Sequence, residues 1–202
     1  MSQRQRLRLR CRRRVDRGLV MAGLLAAVLG LPIGSLAQAA APARVSQVEA
    51  AFLRNFARYV GWPERAFASN RSPWRVCVLG GEHFDESLER TFEGRTEQGR
   101  AFEVVRASVA EQLPGCQIVF VGYTSSAKRR AVLAELRRRP VLTVGHAPEF
   151  LAEGGIVRLL AQEHVEMSIN LDQARDASLA IPAKMLEVSR EVLENGTLRK
   201  AR

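Results

Sequence analysis

Cysteine and histidine are the residue types whose chemistry is easiest to read from spacing, and here the spacing argues against catalysis. Cys77 and Cys116 form no Cys-x-x-Cys pair for thioredoxin-type exchange, and no nearby His completes a metal site. The histidines, His83, His146 and His164, form no His-x-x-x-His pair, and none adjoins a cysteine. No Gly-x-Ser-x-Gly string marks a nucleophile elbow. The carboxylates are scattered along helical faces, where solvated pairing with Lys and Arg accounts for them. Gly80-Gly81, between a strand and a helix, invites comparison with a phosphate cradle. No third glycine follows at dinucleotide spacing, there is no Gly-Lys-Ser/Thr, and Glu82 sits where the anion would lie. A plain β–α turn is the simpler reading. With no catalytic, metal or cofactor-binding residues to name, the chain reads as a binding or regulatory module.

The charge distribution points the same way. The 202 residues carry a net charge of +10, which would suggest nucleic acid if it were spread over the domain. It is not. Residues 1–17 hold eight arginines against one Asp, residues 18–39 hold no charge, and the remainder is only +3. A basic start, an apolar run over 18–34 and the small-x-small string Ala37-Gln38-Ala39 read as a secretory signal peptide over 1–39, cleaved near Ala39. The exported chain then has no membrane-spanning helix of its own. Cys11 leaves with the leader, and Cys77 and Cys116 remain as an even pair in an oxidising compartment. Bonding them would close a loop of roughly 40 residues and stabilise the fold by about 4 kcal/mol in the chain-entropy description. Two buried free thiols in strands are the alternative.

The elements that must position these residues alternate. Ser46-Gln-Val-Glu49 reads as a capping box for a helix over 47–60, with Val45, Val48, Phe52, Phe56 and Tyr59 as its apolar stripe. Asn55 shares that stripe and is expected to bond to nearby backbone. Strands follow at 74–79, 101–106, 118–121 and 141–144, with helices near 85–92 and 126–138 and a short helical turn before Leu113-Pro114-Gly115. The Arg137-Arg138-Arg139 run suits a solvated helix end, with an anion site as the lesser reading. Alternating strands and helices imply a right-handed parallel sheet. In such sheets the first and third strands are commonly neighbours, within disulfide reach. Residues 155–160 and 165–169 form a β-hairpin, Asn170 or Asp172 caps a short helix, and Pro182 opens a last helix. That helix has the stripe Ile181, Met185, Val188 and Val192, and ends at Asn195-Gly196. The expected fold is a single-domain α/β sandwich over 40–196, with a mostly parallel central sheet, a C-terminal β-hairpin and flanking helices. Residues 197–202 follow as a basic tail.

One string carries more than periodicity. Residues 50–63, AAFLRNFARYVGWP, resemble the opening motif of the YfiR-like periplasmic proteins, an aliphatic-Asn-Phe-x-x-Tyr/Phe-x-x-Trp-Pro pattern. Further matches follow in order at 76–80 (VCVLG), 115–120 (GCQIVF), 141–144 (VLTV), 154–157 (GGIV) and 168–174 (SINLDQA). The resemblance implies a small periplasmic α/β sandwich, often dimeric and without catalysis. It implies a repressor of a membrane-bound diguanylate cyclase, acting on that enzyme's periplasmic sensor region, with an outer-membrane lipoprotein able to sequester it. Cys77 and Cys116 match the family's redox-related cysteine positions. A second cysteine pair found nearer the hairpin in some relatives is missing here, so dependence on that bond does not carry over.

Two surfaces follow as expectations. Leu179 and Ile181 ahead of Pro182, with Met185 and with Met167 on the hairpin, supply the apolar content a partner surface needs. The same residues could equally close the core over the sheet. The rival is a small-ligand receptor, its site lined by the segments after Gly80 and Gly145, because open α/β sheets bind ligands at strand C-terminal ends.

Overall fold

The computed structural model describes residues 40–82, 84, 86–161 and 164–200. The signal-peptide segment, Cys11, His83 and Asp85 lie outside the described residues. Helix α1 spans Ala40–Tyr59. Strands β1 (Trp74–Leu79), β2 (Thr96–Glu97), β3 (Arg100–Ala107), β4 (Ile118–Val121) and β5 (Leu142–Gly145) follow, with α2 (Ser87–Phe92) after β1 and α3 (Ser126–Leu136) after β4. Then come β6 (Val157–Ala161), β7 (Val165–Asn170), α4 (Leu171–Asp176), α5 (Ala183–Glu187), β8 (Glu191–Glu194) and β9 (Thr197–Lys200). The nine strands form one sheet in the order β2-β3-β1-β4-β5-β6-β7-β8-β9. Five of the eight pairings are parallel; β2–β3, β6–β7 and β8–β9 are antiparallel. The fold is therefore the mostly parallel α/β arrangement read from the sequence.

Alternation along the central strands builds two cores. Val76 and Val78 of β1 and Ile118 and Phe120 of β4 face α1, α2 and α4. Cys77, Leu79, Val119 and Val121 face α3 through Val132, Leu133 and Leu136. Because these strands are buried on both faces, their sequences read as continuous apolar runs. Gly80, at φ +64°, lies under Tyr123, and a Cβ on Gly81 would sit 2.2 Å from Val78 Cγ1. Close packing at a plain β–α turn accounts for this pair of glycines.

Helix α3 is anchored at both ends of its first turn. Ser125 caps it, accepting from the Lys128 amide. Arg129, buried beneath the loop, donates to the Tyr123 and Thr124 carbonyls and pairs with Glu153 at 2.7 Å. The exposed Arg137-Arg138-Arg139 run follows the last turn, with Arg138 at φ +61°.

Four expectations give way to the structure. Ser46 and Glu49 are not a capping box: the helix begins at Ala40, and both side chains are buried in its interior. The core stripe of α1 is Ala50, Leu53, Phe56, Ala57 and Val60. Its small alanines let the helix approach the sheet, so the stripe is rotated and Phe52 and Tyr59 are left at its margin. The last helix stops at Glu187 instead of reaching Asn195-Gly196. The Ser189 hydroxyl donates to the Met185 carbonyl, and the Arg190 amide donates to the Met167 carbonyl at 2.7 Å. The chain is thus drawn onto β7, where β8 pairs in parallel. Asn195 and Gly196 both take positive φ, 53° and 70°, as a two-residue hairpin turn requires. Thr197–Lys200, in the segment set apart as a basic tail, pairs with β8 as β9.

Candidate functional site

The margin of α1 faces the loop and helix that follow α4, and an apolar groove of about 210 Å³ runs between them. Phe52, Asn55, Phe56 and Tyr59 form one wall and Pro182 and Val188 the other, over a floor of Met167 of β7 and Met185 of α5, with Lys184 at the rim. Phe52 and Phe56 meet edge to face, 6.3 Å between centroids. Tyr59 is 50% exposed and Val188 69%, the latter the most exposed large apolar side chain among the described residues. Reciprocal backbone hydrogen bonds between Gly61 and Ala180 join the end of α1 to the segment leading into α5. The spacing of the two walls is set by that bridge and by Pro182, whose fixed φ opens α5.

Of the four residues expected at a partner surface, Met167 and Met185 come together as the floor of this groove. Leu179 is buried in the main core, and Ile181 packs half-buried against it. Tyr59 and Val188 were read as members of helical stripes. Their exposure depends on the rotation of α1 and on the early end of α5, neither of which periodicity discloses. The Asn55 amide, expected to bond to nearby backbone, makes no hydrogen bond among the described residues and lines the groove instead.

Cys77 and Cys116 are bonded, with Cα atoms 6.1 Å apart, on the α3 face of the sheet. The register explains the reach: β1 and β4 are adjacent and parallel, with Cys77 opposite Val119. Beside the bond, Gln117 is nearly fully buried and gathers several segments. Its side chain accepts from the Arg75 amide at 2.8 Å and donates to the Ala66 carbonyl at 2.6 Å. Its carbonyl accepts from Leu142 N and from Trp62 Nε1. Covalent and polar contacts therefore lead from the disulfide through Gln117 to Trp62, one residue from the Gly61–Ala180 bridge. Sequence reading placed Gln117 inside a strand motif without a role; only the meeting of residues 50 or so apart reveals it.

The segments after Gly80 and Gly145 also meet, at the carboxyl ends of the parallel strands. They border a cleft of about 720 Å³ with Gly122 and Thr124 after β4 and with α1. His146 lines this cleft, whereas His164 is exposed beside the β6–β7 turn. Among the described residues, no three His, Cys, Asp or Glu side chains converge as a metal site, and no helix is long and apolar enough to cross a membrane.

A family model described as YfiR/HmsC-like matches residues 46–190. The match runs from the first buried turn of α1 to the residue before β8, so it includes the groove, both cysteines and the cleft, and leaves the β8–β9 hairpin beyond it. No curated protein matches the chain significantly.

Proposed function

The chain belongs to the YfiR/HmsC-like family, and on that premise we propose that it is a periplasmic regulatory binding protein without catalysis of its own. It represses a membrane-anchored diguanylate cyclase by gripping that enzyme's periplasmic sensor region, and so lowers cyclic di-GMP signalling. The observation that supports this reading is the groove: an apolar floor of Met167 and Met185 flanked by exposed Tyr59 and Val188. Interface centres are built this way, with aromatic and methionine anchors in place of charges. Met supplies an adaptable surface, and the unbonded Asn55 amide offers a hydrogen bond to an incoming backbone. Ile181, just ahead of Pro182, and Leu179 support the groove from the core side.

Repression needs only differential affinity. A binder that prefers the sensor's inactive arrangement shifts the population toward it by that difference. An outer-membrane lipoprotein that sequesters the repressor would relieve the cyclase by mass action, and a homodimer would present two grooves. The redox input acts through Cys77–Cys116, whose loss would loosen Gln117 and, through Trp62, the end of α1.

The test is capture from envelope extract with the exported chain, followed by affinity measurement on the recovered sensor. A membrane protein bearing a cyclase output domain is expected. Val188→Asp, at a solvent-facing position, should leave folding intact and weaken capture by about 2 kcal/mol, roughly thirtyfold. Undiminished capture by that variant, or turnover of a substrate by the pure protein, overturns the reading.

A further inference from the structure

The chain leaves β1 toward β3 on one side and returns to β4 on the other, and β1, β4 and β5 run parallel. The β1–β4 boundary is therefore a topological switch point, the place where open α/β sheets leave a crevice outside their strand ends. The 720 Å³ cleft lies there, within the size range of small-molecule sites.

Its walls discriminate by charge. Glu49 from α1 and Glu82 after β1 line it, and among the described residues no Lys or Arg does. Glu49 is buried within the wall and Glu82 is exposed, so the Glu82 carboxylate can reach a ligand directly. The field of Glu82 extends to Tyr123, whose phenol is held above its ordinary value first by burial and then by Glu82 and Glu111. Val45 and Leu160 supply apolar surface, and Thr124 and His146 supply polar edges. The nearby start of α3 would favour an anion, but Ser125 already occupies the Lys128 amide there. The strand ends are rigid: Gly122 N donates to the Leu79 carbonyl at 2.7 Å, and a Cβ on Gly122 would sit 2.4 Å from the Gly80 carbonyl oxygen.

We propose that this cleft binds a small molecule carrying a protonated amine on a compact apolar body, with Glu82 pairing the ammonium while Val45 and Leu160 border the apolar part. This goes beyond the regulatory reading, and the cleft shares no lining residue with the groove.

The test compares phenethylamine with 3-phenylpropanoate, which present the same ring on opposite charges, by thermal melting and calorimetry at low ionic strength. Only the amine is expected to raise Tm saturably, following ln(1 + [L]/Kd). Glu82→Gln should weaken it at least tenfold. Thr124→Trp, at an exposed rim position, should abolish it while the ligand-free Tm stays the same. The proposal is overturned by no saturable shift with the amine, by equal binding of the carboxylate, or by unchanged affinity in both variants. Because partner capture reads the groove and not the cleft, either result leaves the regulatory reading to its own experiment.

Discussion

Gly61 and Ala180 exchange both backbone hydrogen bonds, each at 2.9 Å, although 119 positions separate them in the chain. This one isolated bridge ties the last turn of α1 to the segment that opens α5, and so holds the two walls of the groove at a fixed distance. A Cβ placed on Gly61 would lie 3.1 Å from the Ala180 Cβ. Gly61→Ala should cost little, since the bridge need part by only a few tenths of an ångström. Gly61→Val adds branches that must part the bridge, with a loss of about 1–3 kcal/mol as in overpacked sites. Urea unfolding measures the loss of stability and partner capture the loss of the groove's spacing; both should worsen from Ala to Val.

Removing the disulfide should cost about 4 kcal/mol, the loop-closure value for a separation of 39 residues. Cys77→Ala with Cys116→Ala tests this without placing new hydroxyls in the buried sulfur positions. The double variant should match the native chain in reducing agent, with a lower denaturation midpoint and weaker capture. If midpoint, abundance and capture all stay the same in oxidising medium, the redox link is wrong.

Arg129 and Glu153 form a nearly dry pair, each side chain 5% exposed. The hydrogen bond from Arg129, aided by that from Ser126, holds the Glu153 carboxyl below its ordinary value against the opposing effect of burial. A carboxyl whose folded pKa is depressed contributes stability that is complete above the unfolded value, about 4.3, and is lost as pH falls through the folded value. The denaturation midpoint should therefore fall as pH drops below about 4, and Glu153→Gln should flatten that slope. Glu153→Ala leaves the buried guanidinium with only the exposed Glu149, 3.7 Å away, and the Tyr123 and Thr124 carbonyls, and should cost about 3 kcal/mol, the lower end for breaking a buried pair.

Asp172 accepts from the amides of Asn195 and Gly196, both at 2.9 Å, and these bonds hold its carboxyl below the ordinary Asp value. The contact clips the β8–β9 turn to the start of α4. Asp172→Asn should speed hydrogen exchange at the Asn195 and Gly196 amides while the β1 and β4 amides stay protected. Lowering the pH through the Asp172 titration should reduce the protection factors of these two amides in the native chain, once the slower intrinsic exchange at acid pH is divided out.

What the amino-acid order determined by itself was everything local or pairwise between neighbours in a regular sheet. Strands β1 and β4 match their expected limits residue for residue, because a strand buried on both faces writes itself as an apolar run. The disulfide follows from an even cysteine pair, Cys77 within β1 and Cys116 just ahead of β4, on strands that parallel topology makes adjacent. Tertiary structure decided the rest. The stripe Ile181, Met185, Val188 and Val192 fits a 3.6-residue period, yet the chain breaks it after Glu187, where the Arg190 amide bonds to Met167 and β8 pairs with β7. The rotation of α1 was settled by which side chains let it approach the sheet. The groove is a consequence of both. Tyr59 and Val188, 129 positions apart, share a surface only because a bridge at Gly61 and Ala180 brings their elements together. Periodicity registers which residues are apolar. It carries no record of which of them the packed elements leave uncovered.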